Sequence, residues 1–308
     1  MKFHLKHTLG TTAFTKHAKF LFNDSAHLKL QTPKGWHHFE YVTSSNKAIH
    51  ARLSFHIQRG EARTPVRAPF GSLEIYKKLT QRQIEDFLEQ VTKQVVMLGV
   101  KKIFIRHHPD RYSEKLNVWQ TCLVKAGFKQ TNDITSIILV DDKSFESKIK
   151  ISERQKLRKA VSLFTFEHAD RTELKKIYSF IDSCRKERNQ SLSMSLADLK
   201  KLFKTFPDQL FLFKVGTPAT ISAAAIVIRV SPKILYTFYY SHAKVYDRIS
   251  PVVFLISGIY DFAKKNKIKM IDLGTSMVEN KLSRSLLHFK KSIGGISDNK
   301  STFTKMLS

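Results

Sequence analysis

The chain has 308 residues, 42% of them hydrophobic, which is enough for two domains of ordinary size with real cores and argues against an extended disordered chain. Lys and Arg number 53 against 26 acidic residues, a net charge of +27, so the field of the protein draws in polyanions: tRNA, a phosphate-rich cofactor or an anionic membrane surface. No apolar run approaches the ~20 residues of a membrane span, and residues 1–7 contain no signal-peptide core. The two cysteines, Cys122 and Cys184, fall on separate predicted helices, so the expectation is a reducing, cytoplasmic setting without a disulfide framework. The charge excess is spread over both halves, which predicts a broad basic face rather than a polybasic arm.

Residues 1–35 read as a mixture of helix and turn. Alternation predicts strands over 36–42 and 47–58, joined at Ser44-Ser45-Asn46. The prolines of Arg63 to Ser72 mark a loop containing Pro69-Phe70-Gly71-Ser72. Thr80, with Gln83 three residues on, forms a capping box for a helix over 81–98, whose stripe is Ile84, Phe87, Leu88, Val91, Val95 and Leu98; Gly99 stops it. A strand over 102–106, a loop over 107–112, a helix over 114–126 ending at Gly127-Phe128, and a strand over 134–140 complete the first half.

Asp141 to Ser144 is the expected boundary, giving domains of 1–143 and 144–308. A basic helix follows, carrying Lys148, Lys150, Arg154, Lys156, Arg158 and Lys159. Helices over 172–188 and 196–206, strands over 210–215, 219–230 and 234–241, an apolar helix over 251–265 and a buried strand over 268–273 come next. On the aromatic strand, Tyr236, Phe238 and Tyr240 share one face, with Thr237, Tyr239 and Ser241 on the other. One face belongs to the core; the other is free to line a site, with a tyrosine hydroxyl as acid or donor. Between this strand and the apolar helix, His242 to Val252 contains no glycine pair. Ser250 suits the helix cap and Pro251 the first turn, so the turn from Ser250 to Val252, with Lys244 and Arg248 beside it, is open to an anion.

The chain then runs Met270-Ile271-Asp272-Leu273-Gly274, Asn280-Lys281-Leu282, and Leu286-Leu287-His288-Phe289-Lys290-Lys291-Ser292-Ile293-Gly294-Gly295. This series resembles the C-terminal signature of the FemABX-like transferases, which are tandem GNAT-fold proteins: a strand, D-x-G, a loop with Asn, L-x-x-F-K, then F/I-G-G. The Pro-Phe-Gly-Ser element and the basic helix after the boundary are similar to elements of the same family. So is the Ser-Pro start of the apolar helix, where ordinary acetyl-CoA-dependent GNAT proteins carry a glycine-rich pyrophosphate loop.

The resemblance implies an α/β (α+β) fold of two tandem GNAT-like domains, each a mixed, mostly antiparallel sheet flanked by helices. It also implies N-acyl or aminoacyl transfer to an amine, from aminoacyl-tRNA or an acyl-CoA thioester, by direct attack and with no tightly bound cofactor. Phe289 and Lys290 would lie beside the transfer site, with Lys290 meeting donor phosphate or oxyanion charge. Asp272 would be a base or a turn cap. Tyr240 joins the catalytic candidates, Asn280 and Tyr236 the substrate-binding ones, and Lys244, Arg248, Ser250 and Val252 the donor-binding ones. Two other readings stay open: a conventional acetyl-CoA N-acetyltransferase, and a non-catalytic basic module for RNA or membrane. The pairs His37-His38 and His107-His108 have no metal-ligand spacing, so no metal is expected. There is no G-x-S-x-G, Walker A or Rossmann fingerprint.

Overall fold

The computed structural model describes residues 2–10, 14, 16–113 and 116–307. In chain order its elements are β1 (Phe3–Leu9), α1 (Ser25–Gln31), β2 (Trp36–Thr43), β3 (Ile49–Gln58), β4 (Glu61–Thr64), β5 (Glu74–Ile75), α2 (Gln81–Met97), β6 (Lys102–Pro109), α3 (Leu116–Lys125) and β7 (Lys129–Leu139). The chain continues with α4 (Phe145–Lys148), α5 (Ile151–Leu163), β8 (Thr165–Ala169), α6 (Leu174–Lys186), α7 (Leu196–Thr205), β9 (Leu210–Gly216), β10 (Ile221–Ser231) and β11 (Ile234–His242). It closes with α8 (Pro251–Lys265), β12 (Met270–Thr275), β13 (Met277–Val278), β14 (Lys281–Leu282), α9 (Arg284–Ser292) and β15 (Ile296–Met306). The expected start of the third helix, at 114, lies outside the described residues.

The chain forms two compact units, 1–133 with 298–308, and 134–297. This division differs from a single break at 143/144 for two reasons. Strand β7 runs on without a linker, and its later residues pair with β12, from Thr135↔Thr275 to Leu139↔Met270. At the other end, β15 pairs antiparallel with β6, from Lys300↔Pro109 to Met306↔Lys102. Hydrogen bonding between strands therefore sets the division, and the polar Asp141 to Ser144 stretch does not.

In the first unit the strand order is β1-β2-β3-β4-β6-β15, with β5 also on β3. The pairs are antiparallel except for β4 with β6. The inward residues Phe39, Leu53, Phe55, Ile103, Ile105 and Phe303 pack with Phe87, Val91 and Val95 of α2 and with Trp119 and Leu123 of α3. Each such side chain stabilises the fold by about 1.5–3 kcal/mol. The capping box at Thr80 and Gln83 is formed as the sequence predicts. Residues 3–9 are a strand, not helix or turn, because Phe3 and Leu5 pack on this core while β1 pairs with β2 from Phe3↔Thr43 to Leu9↔His37.

The second unit orders the end of β7, then β12, β11, β10, β9 and β8. Only β11 and β12 are parallel. Helix α8 is apolar on nearly every side because it is sunk in the core: Val252, Val253, Leu255, Ile256, Ile259, Tyr260 and Ala263 are all buried. Gly258 lets it approach β8, since a Cβ there would stand 2.3 Å from the Phe166 ring. Strands β8 and β15 were not legible in the sequence. Both are polar and half exposed, Thr165–Ala169 and Ile296–Met306, so neither shows a continuous apolar alternation.

Candidate functional site

Parallel pairing of β11 with β12 runs Ile234↔Met270, Leu235↔Ile271 and Tyr236↔Asp272. Among the described residues it stops there, while β11 continues to His242. The two strands part, and the fork between them leaves one edge of β11 without a strand partner, so main-chain N–H and C=O groups are on offer. Two side chains stand at its apex. The Thr237 hydroxyl donates to Asp272 O at 3.0 Å, and the Tyr240 hydroxyl to Leu273 O at 3.5 Å.

The floor of the fork is a turn locked from both sides. Gly274 has φ +75°, a conformation that favours glycine. Its N–H donates to Asp272 Oδ1 at 2.7 Å, and the same oxygen accepts from the Thr135 hydroxyl at 3.0 Å. From the other side, Lys290 Nζ donates to Gly274 O at 2.8 Å and to Thr275 O at 2.7 Å. Both Asp272 and Lys290 are buried. Lys290 lies in the last turn of α9, and the chain then turns through Gly294 (φ +85°) to Gly295, where a Cβ would stand 2.5 Å from Lys290 O. The D-x-G, F-K and G-G elements of the sequence are thus one interlocked structure around the turn. Phe289 is half-buried and packs against the α8 core.

On β11, Thr237, Tyr239 and Ser241 are buried, and Tyr236, Phe238 and Tyr240 are only partly so. The Tyr239 hydroxyl holds Ser193 Oγ at 2.8 Å and accepts from Met194 N at 2.9 Å, a structural role. Tyr236 and Tyr240 share the other, half-open face. Burial raises both phenol pKa values, and the nearby Asp272 charge adds to the rise, so both stay protonated at neutral pH. Arg185, in the last turn of α6, acts in the opposite sense on both phenols, and its guanidinium donates to Gln190 Oε1 at 2.8 Å. Arg185 and Thr135 are site residues that sequence reading did not single out. A cation in the last helical turn also suits the helix dipole, and a Thr on a strand is ordinary, so neither carried a distinguishing signal.

The loop after β11 is braced by Arg188, whose guanidinium donates to Asp247 Oδ1 at 2.9 Å and to His242 O at 3.2 Å. Lys244 and Arg248 are exposed on it. Ser250 does not cap α8 with its side chain, contrary to expectation: its φ is +53°, no side-chain cap bond forms, and its N–H donates to Tyr246 O at 2.8 Å. Val252 puts its side chain into the core, so only its main chain belongs to the helix start. With no acid in the first turn, the α8 N-terminus keeps its positive end. Asn280 (φ +61°) sits with Glu279 (φ +49°) at the exposed tip of the β13–β14 hairpin, a two-residue turn with both central residues left-handed. The fork therefore gathers Tyr236, Tyr240, Asp272 and the Lys290-held turn, with Asn280 out on the hairpin tip. No group of three or more metal-ligating side chains occurs among the described residues.

No family model matches the chain, and no curated protein matches it. Solved structures do. FemX is similar at a TM-score of 0.69 and 13% identity, covering 93% of this chain and 92% of that one. The structure of L-PGS from Bacillus licheniformis matches at TM-score 0.55 and 12% identity, over 91% and 86% of the two chains. A tandem GNAT protein from the clavulanic acid biosynthesis pathway matches at 0.51 and 6% identity, over 88% and 83%. At these identities the likeness is one of fold: the chain has a tandem GNAT-like fold, mostly antiparallel sheet flanked by helices.

Proposed function

We propose that the second unit transfers an acyl or aminoacyl group from an activated ester or thioester to an amine. The observation that carries this reading is the fork at Tyr236 and Asp272. An open strand edge, two protonated phenols and the positive end of α8 belong to the segments that leave one end of two parallel strands. The acceptor nitrogen attacks the donor carbonyl, and the tetrahedral oxyanion meets main-chain N–H groups of the open edge. Collapse breaks the carbonyl–oxygen or carbonyl–sulfur bond. Tyr240 or Tyr236 gives the leaving group its proton, and the proton shed by the amine goes to solvent. Asp272 and Lys290 are positioning residues that hold the turn. The donor's phosphates face the α8 N-terminus, Lys244, Arg248 and Arg185.

The absence of glycine from the loop before α8 disfavours close approach of a pyrophosphate, so the reading prefers charged tRNA over acetyl-CoA. Binding of both donors measured across a salt series tests the choice. Charged tRNA should bind tightly and lose affinity steeply with salt, and acetyl-CoA should bind in the high micromolar range or weaker, roughly above −6 kcal/mol. Tight, nearly salt-insensitive acetyl-CoA binding with no tRNA binding would promote the conventional acetyltransferase. For the chemistry, transfer of a labelled aminoacyl group to a panel of amines should fall about a hundredfold in Tyr236→Phe with Tyr240→Phe, the scale of a lost proton donor. Unchanged turnover in that folded double variant would remove the phenols from the mechanism.

A further inference from the structure

The two lips of the fork carry the same unusual surface. The β11 side leads into the loop with Lys244, Val245 and Arg248; the β12 side leads into the hairpin with Val278, Lys281 and Leu282, followed by Arg284. Val245 is 81% exposed, Val278 47% and Leu282 43%, so each lip displays aliphatic side chains between cations. The hairpin is a separate two-stranded sheet, and such a ribbon is marginal in water without something to pack on. Among the described residues no carboxylate pairs with Lys244, Arg248, Lys281 or Arg284. The acids on the lips are Glu279, at the hairpin tip, and Asp247, which Arg188 and His242 already hold.

We infer that these lips form a docking surface for an anionic lipid bilayer, with Val245, Val278 and Leu282 entering the interface and Lys281 and Arg284 on the headgroups. Charge complementarity selects the partner's sign, and the side-chain chemistry selects its kind. A single-stranded nucleic acid is gripped by aromatic platforms, and the exposed tips here are aliphatic, suited to acyl chains. The fork would then open toward the membrane plane. This inference rests on the lips alone and does not require the transferase reading.

The full-length protein is sedimented with phosphatidylcholine vesicles and with vesicles containing about one-third phosphatidylglycerol. Binding to the anionic vesicles should exceed binding to the neutral ones at least tenfold, at roughly fivefold per surface cation. Val278→Ser with Leu282→Ser leaves every charge in place and should weaken anionic-vesicle binding roughly tenfold. Lys281→Glu with Arg284→Glu should weaken it at least as much. Lys200→Glu with Lys204→Glu makes the same charge change on α7 and should have a far smaller effect. Thermal melting of each variant separates lost binding from lost fold. Equal losses from the α7 pair and the lip pair would reduce the effect to bulk charge and overturn the proposal. No preference for anionic vesicles, or serine variants that bind vesicles normally while the lip charge reversals abolish RNA binding, would overturn it as well.

Discussion

At the residue scale, Lys290 separates what a motif shows from what a side chain does. Its place in a Phe-Lys pair suggested a cation waiting for a ligand; the structure commits its ammonium to the carbonyls of Gly274 and Thr275. Removing it leaves two acceptors without their charged donor at a buried site. Lys290→Met, which keeps most of the stem, should lower the unfolding free energy by about 2–4 kcal/mol, because hydrogen bonds to charged groups count for more than neutral ones. Lys291→Met, at the exposed neighbour, should stay within about 0.5 kcal/mol. Urea unfolding of the two variants decides it, and equal stabilities would mean that the clamp does not hold the turn. Asp272 was read as a base or a cap, and its bonds to Gly274 N and Thr135 are those of a cap.

Among the elements, α8 was the most legible, since its continuous apolar sequence could only be a buried helix. Its contact with β8 was invisible, because β8 itself shows little pattern and the close approach depends on Gly258 meeting Phe166. Gly258→Ala should gain helix propensity yet lose stability, by roughly 1–3 kcal/mol, as the added carbon pushes the ring off the helix. Asp261→Ala, exposed on the same helix, should change stability by no more than about 0.5 kcal/mol. A chemical-denaturation midpoint for Gly258→Ala at or above that of the parent would show that the ring moves freely.

For the molecule as a whole, the two units should answer acid differently. Burial lowers the pKa of the first unit's five buried histidines: His27 is pushed down to about 3, His38 and His108 to about 4, His107 well below its ordinary value, and His50 below it too. Two of them accept hydrogen bonds through the nitrogen that would protonate: His27 Nδ1 from Gln31 at 3.1 Å, and His107 Nε2 from the Trp119 indole. Their unfolded pKa lies near 6.5, so below that pH the unfolded chain binds more protons than the folded one. Stability of this unit should therefore fall as pH drops from about 6.5 toward 4, by up to about 1.4 kcal/mol per pH unit for each histidine. Both tryptophans, Trp36 and Trp119, are buried in this unit, so tryptophan fluorescence during urea unfolding follows it selectively. A midpoint constant between pH 7 and pH 4.5 would contradict the burial of these rings.

The sequence by itself determined the local decisions. The Thr80–Gln83 capping box, the α2 stripe, the buried α8 and the alternating face of β11 all follow from periodicities and caps that act within one or two turns of chain. The D-x-G, F-K and G-G series likewise pointed to its fold, because the turn it builds needs a cap, a clamp and a glycine at fixed places. Only the tertiary structure decided which strands pair and where they part. The return of β15 to β6, the run of β7 into a pair with β12 and the fork beyond Tyr236 and Asp272 are hydrogen-bonding choices between segments far apart in sequence. The electrostatic effect of Arg185 on Tyr236 and Tyr240 belongs with them: it comes from the end of a distant helix, and nothing in its own neighbourhood announces it. Such contacts depend on where distant backbones meet, and a pattern read along one chain segment holds no record of that.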